Sequence, residues 1–135
     1  MNMGHIAILL SVAFFAAGCG PSATNQAIVA LNTAADVAEK ANALVLAEYE
    51  REQSDAIDNA STREDAEAAI REIKQRYKPA WVAREAFRLV WIDAATAVQL
   101  MQATKEEPDM VKIFRILERL AEAQKVFLQS IKKLE

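Results

Sequence analysis

A chain of 135 residues with 53% apolar and 26% charged side chains has the size of one domain and enough apolar material to fill one core. Its formal charge is −3, and so mildly acidic a body excludes nucleic acid as the main partner, because phosphate binding needs a basic surface. The glycines are Gly4, Gly18 and Gly20, which excludes phosphate-cradling loops and dinucleotide fingerprints from the rest of the chain.

The first element is the stretch Ile6 to Ala17, apolar except for Ser11. It is too short for the roughly 20 residues that span a bilayer, and it fits the about 7 to 15 of a signal-peptide core. Directly after it stand Ala17, Gly18 and the only cysteine, Cys19. Small residues before a cysteine at the end of such a run resemble the lipobox of bacterial lipoproteins. That resemblance covers residues 1 to 20 alone and implies cleavage between Gly18 and Cys19, a diacylglycerol on the Cys19 thiol and acylation of the freed amine. It also implies a cell-envelope location facing the periplasm, anchored to the lipid bilayer through Cys19. Gly20, not being aspartate, resembles the second residue of lipoproteins sorted to the outer membrane rather than kept at the inner one. The sequence departs from the pattern at Ala16, where leucine is commonest, and in "MNMGH", which has no Lys or Arg. The competing reading is a plain signal peptide or uncleaved anchor with a buried cysteine, which leaves a lone thiol in an oxidising compartment.

Residues 19 to 25 read as a short polar tether, with Ser22, Thr24 or Asn25 available to cap a helix start. From about residue 26 the spacing turns helical. Ile28, Leu31, Ala35, Ala38, Val45 and Tyr49 form a stripe that Ala34, Val37, Ala41 and Leu44 widen, and the helix runs to about residue 58. Ser61 with Glu64 is a capping box, so a second helix begins at residue 62 and extends to about 104. Its stripe is Ala66, Ile70, Ile73, Tyr77, Trp81, Phe87, Trp91, Ala94, Val98 and Met101. Pro79 interrupts it, either as a kink or as a break that would give four helices. "KEEPD" then stops the chain. Pro108 suits a first helical turn, and a third helix over about 108–134 carries the heptad Ile113, Leu117, Leu120, Gln124, Phe127, Ile131, Leu134. No alternating, turn-bounded strand pattern occurs.

These elements predict an all-α fold: an antiparallel three-helix bundle, up, down, up, preceded by a signal helix that is cleaved. Folding about residue 60 sets Leu44 beside Arg76 and Leu31 near Leu89. Folding again about 106 sets Leu120 near Trp91 and Leu134 near Lys78. The third helix therefore runs out opposite Pro79, and Leu44 to Tyr77 projects beyond it as a two-helix arm on the order of 25 Å long. The arm's apolar set is thin: Tyr49, Ala56, Ile57, Ile70, Ile73 and Tyr77.

"AFRLVWIDAATAVQLM", Ala86 to Met101, is apolar nearly all round. Arg88 and Asp93 would be costly in lipid, so a buried middle helix is preferred to a membrane-inserted one. Asp93 is expected to pair with Arg88 or an arginine of the third helix rather than to act in catalysis. Trp81, Phe87, Trp91, Phe114 and Phe127 are expected in the core.

Catalysis is limited by elimination. The only histidine, His5, lies in the signal segment, and Cys19 is assigned to lipid, so Ser/His and Cys/His nucleophilic sites and Cys/His zinc sites cannot be assembled. The acidic residues of the arm remain: Glu48, Glu50, Glu52, Asp55, Asp58, Glu64, Asp65 and Glu67, against Arg51 and Arg63. Tyr49, Glu50, Glu52, Asp55, Asp58, Glu64, Asp65 and Glu67 are the candidate partner-binding set. Carboxylates suit the start of the second helix but oppose the dipole at the end of the first. The function expected is a non-enzymatic envelope lipoprotein that meets a protein partner or a second copy of itself, with no cofactor beyond the lipid on Cys19, no metal and no small-molecule substrate. The alternatives are a phage- or plasmid-type exclusion or lysis accessory lipoprotein, and a carboxylate-based metal binder or enzyme.

Overall fold

The computed structural model describes residues 21 to 104 and 109 to 134, with side chains from residue 23 onward. Gly18, Cys19 and the signal segment lie outside the described residues. The described residues form three helices: α1, Pro21–Asp58; α2, Arg63–Thr104; and α3, Met110–Lys132. No strand occurs among the described residues.

α1 begins earlier than expected. Residues 21 to 25 are helical, which replaces the expected tether, and Ser22, Thr24 and Asn25 lie within the helix rather than capping it. Proline loses nothing in a first turn, where its missing N–H would be unpaired anyway, and Ala23 and Thr24 gain burial by joining the helix. At the other end of α1, the Asn59 backbone N–H and its Nδ2 both donate to the Asp55 carbonyl, at 3.1 and 2.7 Å, and Ala60 N–H donates to Ile57 O at 3.3 Å. The turn closes without a glycine.

The cap of α2 is one residue later than the capping-box reading. Asp65 N–H donates to Thr62 Oγ1 at 3.1 Å, so Thr62, not Ser61, is the capping hydroxyl and the helix starts at Arg63. Asp109 caps α3 by accepting from Lys112 N–H at 3.1 Å. α2 continues through Pro79, and this excludes the four-helix alternative. Pro79 is exposed, so its ring and the N–H it lacks cost no buried contact.

The helices pack as antiparallel neighbours. Trp91 Nε1 donates to Leu31 O at 2.8 Å across the α1–α2 hairpin, and the Phe87 and Phe127 rings stack at 6.5 Å across α2–α3. The core takes mostly alanine from α1 (Ala27, Ala30, Ala34, Ala38, with Leu31 and Val45), and fills that narrow side with larger residues: Tyr77, Phe87 and Val98 from α2 and Leu117, Leu120 and Phe127 from α3. Phe127 lies six residues before the Lys133 C-cap, so α3 ends about 9 Å beyond the Phe87 level, close to Ala80. From there to Arg63 the α1–α2 hairpin continues alone for about 25 Å. This is the two-helix arm.

Several side chains depart from their expected surroundings. Phe114 is 52% exposed and Leu44 is 59% exposed. Each sits one residue from a buried stripe position, Ile113 and Val45, and so about 100° away around its helix. Trp81 and Trp91 are half-buried, and Leu89, Ile92 and Leu100 leave one side of α2 open. Asp93 is exposed without an ion pair among the described residues; Arg88 instead joins Glu85, with contacts of 2.6 and 2.9 Å. Arginine three residues on from a glutamate needs no tertiary contact to find it.

One polar residue interrupts the α3 stripe. Gln124 is 3% exposed, and its Nε2 has no hydrogen-bond partner among the described residues. An amide donor left unpaired in a core costs more than it returns. Gln124→Leu should therefore raise unfolding free energy by about 1 kcal/mol in urea titration. Phe127→Ala should lower it by about 3 to 5 kcal/mol. A large loss in Gln124→Leu would mean that the amide is bonded in solution.

Candidate functional site

The arm is built where α1 and α2 lose the cover of α3. Val45, Ile73 and Tyr77 are its buried apolar residues, and Ala56 and Ile70 are half-buried. At its base the Tyr49 ring meets Tyr77 edge-on at 5.2 Å and Trp81 edge-on at 4.8 Å, while Tyr77 and Trp81 are 6.2 Å apart. Three large rings supply contact area that aliphatic residues would have to draw from a third helix.

The rings carry a polar network. Tyr77 OH donates to Glu52 Oε1 at 2.9 Å, and the other Glu52 oxygen pairs with Arg76. Arg76 also sits 5.7 Å from the centre of the Tyr77 ring. Gln53 Nε2 donates to Tyr49 OH at 2.9 Å. Arg76 thus meets Glu52, not Leu44 as the simple fold-back sets them. In an antiparallel pair both side chains lean by about a turn toward their own N-termini, which brings together residues about eight positions apart from the backbone register.

The eight candidate residues divide into those used by the hairpin and those left to solvent. Tyr49 and Glu52 make their contacts inside it. Asp55 and Glu48 both bind Arg51, Asp55 at 2.9 Å, and Glu67 binds Arg63 at 2.8 Å. Glu50, Asp58, Glu64 and Asp65 are exposed with no ion pair among the described residues. Of these, Glu64 and Asp65 lie in the first turn of α2, where the helix dipole favours them; Asp58 ends α1, where it does not. No group of three or more His, Cys, Asp or Glu side chains is arranged to hold a metal ion among the described residues. The tip is a display of separated carboxylates, not a convergent cluster.

These contacts have two electrostatic effects. The Arg51 hydrogen bond holds the Glu48 carboxyl below its usual range, as Arg88 does for Glu85. Burial, reinforced by the bond to Glu52, pushes the Tyr77 hydroxyl from 10.0 up to about 12. Network residues Arg76, Gln53 and Trp81 add to the candidate set. The Tyr–Trp spacing on α2 was a visible signal for Trp81, whereas the Glu52 contacts depend on register.

No family model matches the chain, and no match is found to a curated protein or to a solved structure.

Because the folded state favours the neutral Tyr77 phenol, its contribution to stability is intact below pH 10 and is lost as pH rises toward 12. In Tyr49→Phe, where Tyr77 is the one tyrosine left, ultraviolet titration should show ionisation near pH 12 while the helical dichroism persists. The fall in thermal midpoint above pH 10 should be shallower in Tyr77→Phe. A phenol titrating at its ordinary value would mean that it is open to water and not bonded to Glu52.

Proposed function

We propose that the chain is a membrane-anchored, non-enzymatic lipoprotein of the bacterial cell envelope, whose helical body presents the acidic arm to a protein partner or to a second copy of the chain. The arm carries this reading: two helices extending about 25 Å past the end of α3, with four exposed carboxylates at Glu50, Asp58, Glu64 and Asp65 that no internal cation engages. Between residues 48 and 67 there are eight acidic and two basic residues, so the segment carries −6, twice the net charge of the whole chain. A surface of that kind suits a partner with a basic face.

Anchorage draws on the N-terminal sequence. The stretch Ile6 to Ala17 followed by Gly18 and Cys19 supports cleavage before Cys19 and lipid on its thiol, and Gly20 supports onward sorting to the outer membrane. No described helix is long and apolar enough to cross a membrane, and this reading attaches the body through a covalent lipid. The non-catalytic assignment draws on the confinement of the only His and Cys to residues 5 and 19 and on the dispersal of the arm's carboxylates.

Intact mass of the protein from a Gram-negative host should show loss of residues 1 to 18 and gain of diacylglycerol and acyl mass. Cys19→Ala should block both changes. An unmodified Cys19 in the wild type refutes the lipoprotein assignment.

The arm is tested by amide exchange. With two helices and few buried apolar contacts, residues 46 to 76 should exchange faster than 87 to 101 in dilute protein. Exchange there should slow as concentration rises if the arm meets a second copy, or on addition of the partner if it meets another protein. Equal protection of arm and body in dilute monomer refutes the arm as the docking element.

A further inference from the structure

Only Gly20 separates Cys19 from Pro21, where α1 begins. Two residue steps reach at most about 7 Å, so an acylated Cys19 would hold the first turn of α1 at the headgroups with no linker. The same end of the bundle holds the last turn of α2 and the first of α3.

That end is nearly free of charge on two of its three helices. No charged residue occurs from Pro21 to Ala35 or from Ala94 to Thr104. Three aliphatic side chains are exposed there: Val29 at 64%, Leu100 at 61% and Val111 at 62%. Exposed Asp109 and Lys112 at the start of α3 would be costly in hydrocarbon, which favours the headgroup boundary for this end. The opposite pole is the acidic arm. From Leu44 to Tyr77 it carries nine acidic and five basic residues, a net −4 that leaves +1 for the rest of the chain, whose total is −3. An anionic leaflet repels the arm and tolerates the nearly neutral body, within about one Debye length of the surface.

We infer that the protein stands end-on on the bilayer, with the sparsely charged end around Val29, Leu100 and Val111 seated against the lipid headgroups. This rests on Cys19 carrying lipid, as proposed above. The 38 residues of α1 then set the height of the arm tip at about 57 Å above the membrane. Tilting the bundle flat would bring the arm's −4 onto the anionic surface. A partner of the tip must therefore reach that height.

A thiol introduced elsewhere is the only free one once Cys19 is acylated, which permits specific labelling. Leu100→Cys and Ser61→Cys of the full chain, purified from membranes, are labelled with a donor dye and reconstituted into vesicles of phosphatidylethanolamine and phosphatidylglycerol bearing a headgroup acceptor. Energy transfer should be strong from position 100 and near background from position 61. Equal transfer from both positions, with acyl mass confirmed on the same sample, overturns the end-on orientation alone. A sample without acyl mass overturns the lipid anchor and this inference with it.

Discussion

A helix of 23 residues cannot cover partners of 38 and 42, and the division of the molecule into body and arm follows from that shortfall. Where α3 is present, the core is assembled from three sides, by alanine and leucine around the Phe87–Phe127 pair. Where it stops, the hairpin must hold itself, and the residue types change at that level. Tyr49, Tyr77 and Trp81 replace alanine and leucine because a ring fills a two-sided contact more completely and can expose a polar edge. Glu52 and Arg76 then close the rim over the Tyr77 ring.

Beyond this junction little fastens the tip. Its ion pairs are local and exposed: Arg51 with Glu48 and Asp55, and Arg63 with Glu67. Pairs of that type contribute little and weaken in salt. The turn depends instead on Asn59 at the end of α1 and Thr62 at the start of α2, which satisfy backbone groups without adding packing. The tip is thus defined in its backbone and loosely held in its side chains.

The number of helices, their order and most of their inner faces were legible because a 3.6-residue period runs almost unbroken from Leu31 to Tyr49, from Ala66 to Met101 and from Ile113 to Leu134. The ends were less legible. Pro21 is a favourable first-turn residue, yet a polar run before the stripe reads equally as a tether. Ser61 and Thr62 are adjacent hydroxyls, each followed three residues later by an acid, and only the geometry decides between them. Phe114 and Leu44 show a further limit: side-chain chemistry does not reveal a face when a large apolar residue stands next to the true stripe. In the arm, the aromatic positions were visible from their spacing, but the bond from Tyr77 to Glu52 depends on interhelical register and side-chain lean, neither of which the periodicity of a single helix encodes.

The alanine face of α1 also determines how this domain can diverge. In most cores the costly substitutions are those that remove volume, since they leave cavities. Along Ala23, Ala27, Ala30, Ala34 and Ala38 there is almost no volume to remove, and any larger side chain must push α1 away from α2 and α3. Sequence drift at these five positions is therefore confined to glycine-sized and alanine-sized changes, while the aromatic and leucine positions facing them can exchange shapes among themselves. Distant descendants of this chain would keep the small residues of α1 longer than the large ones of its neighbours.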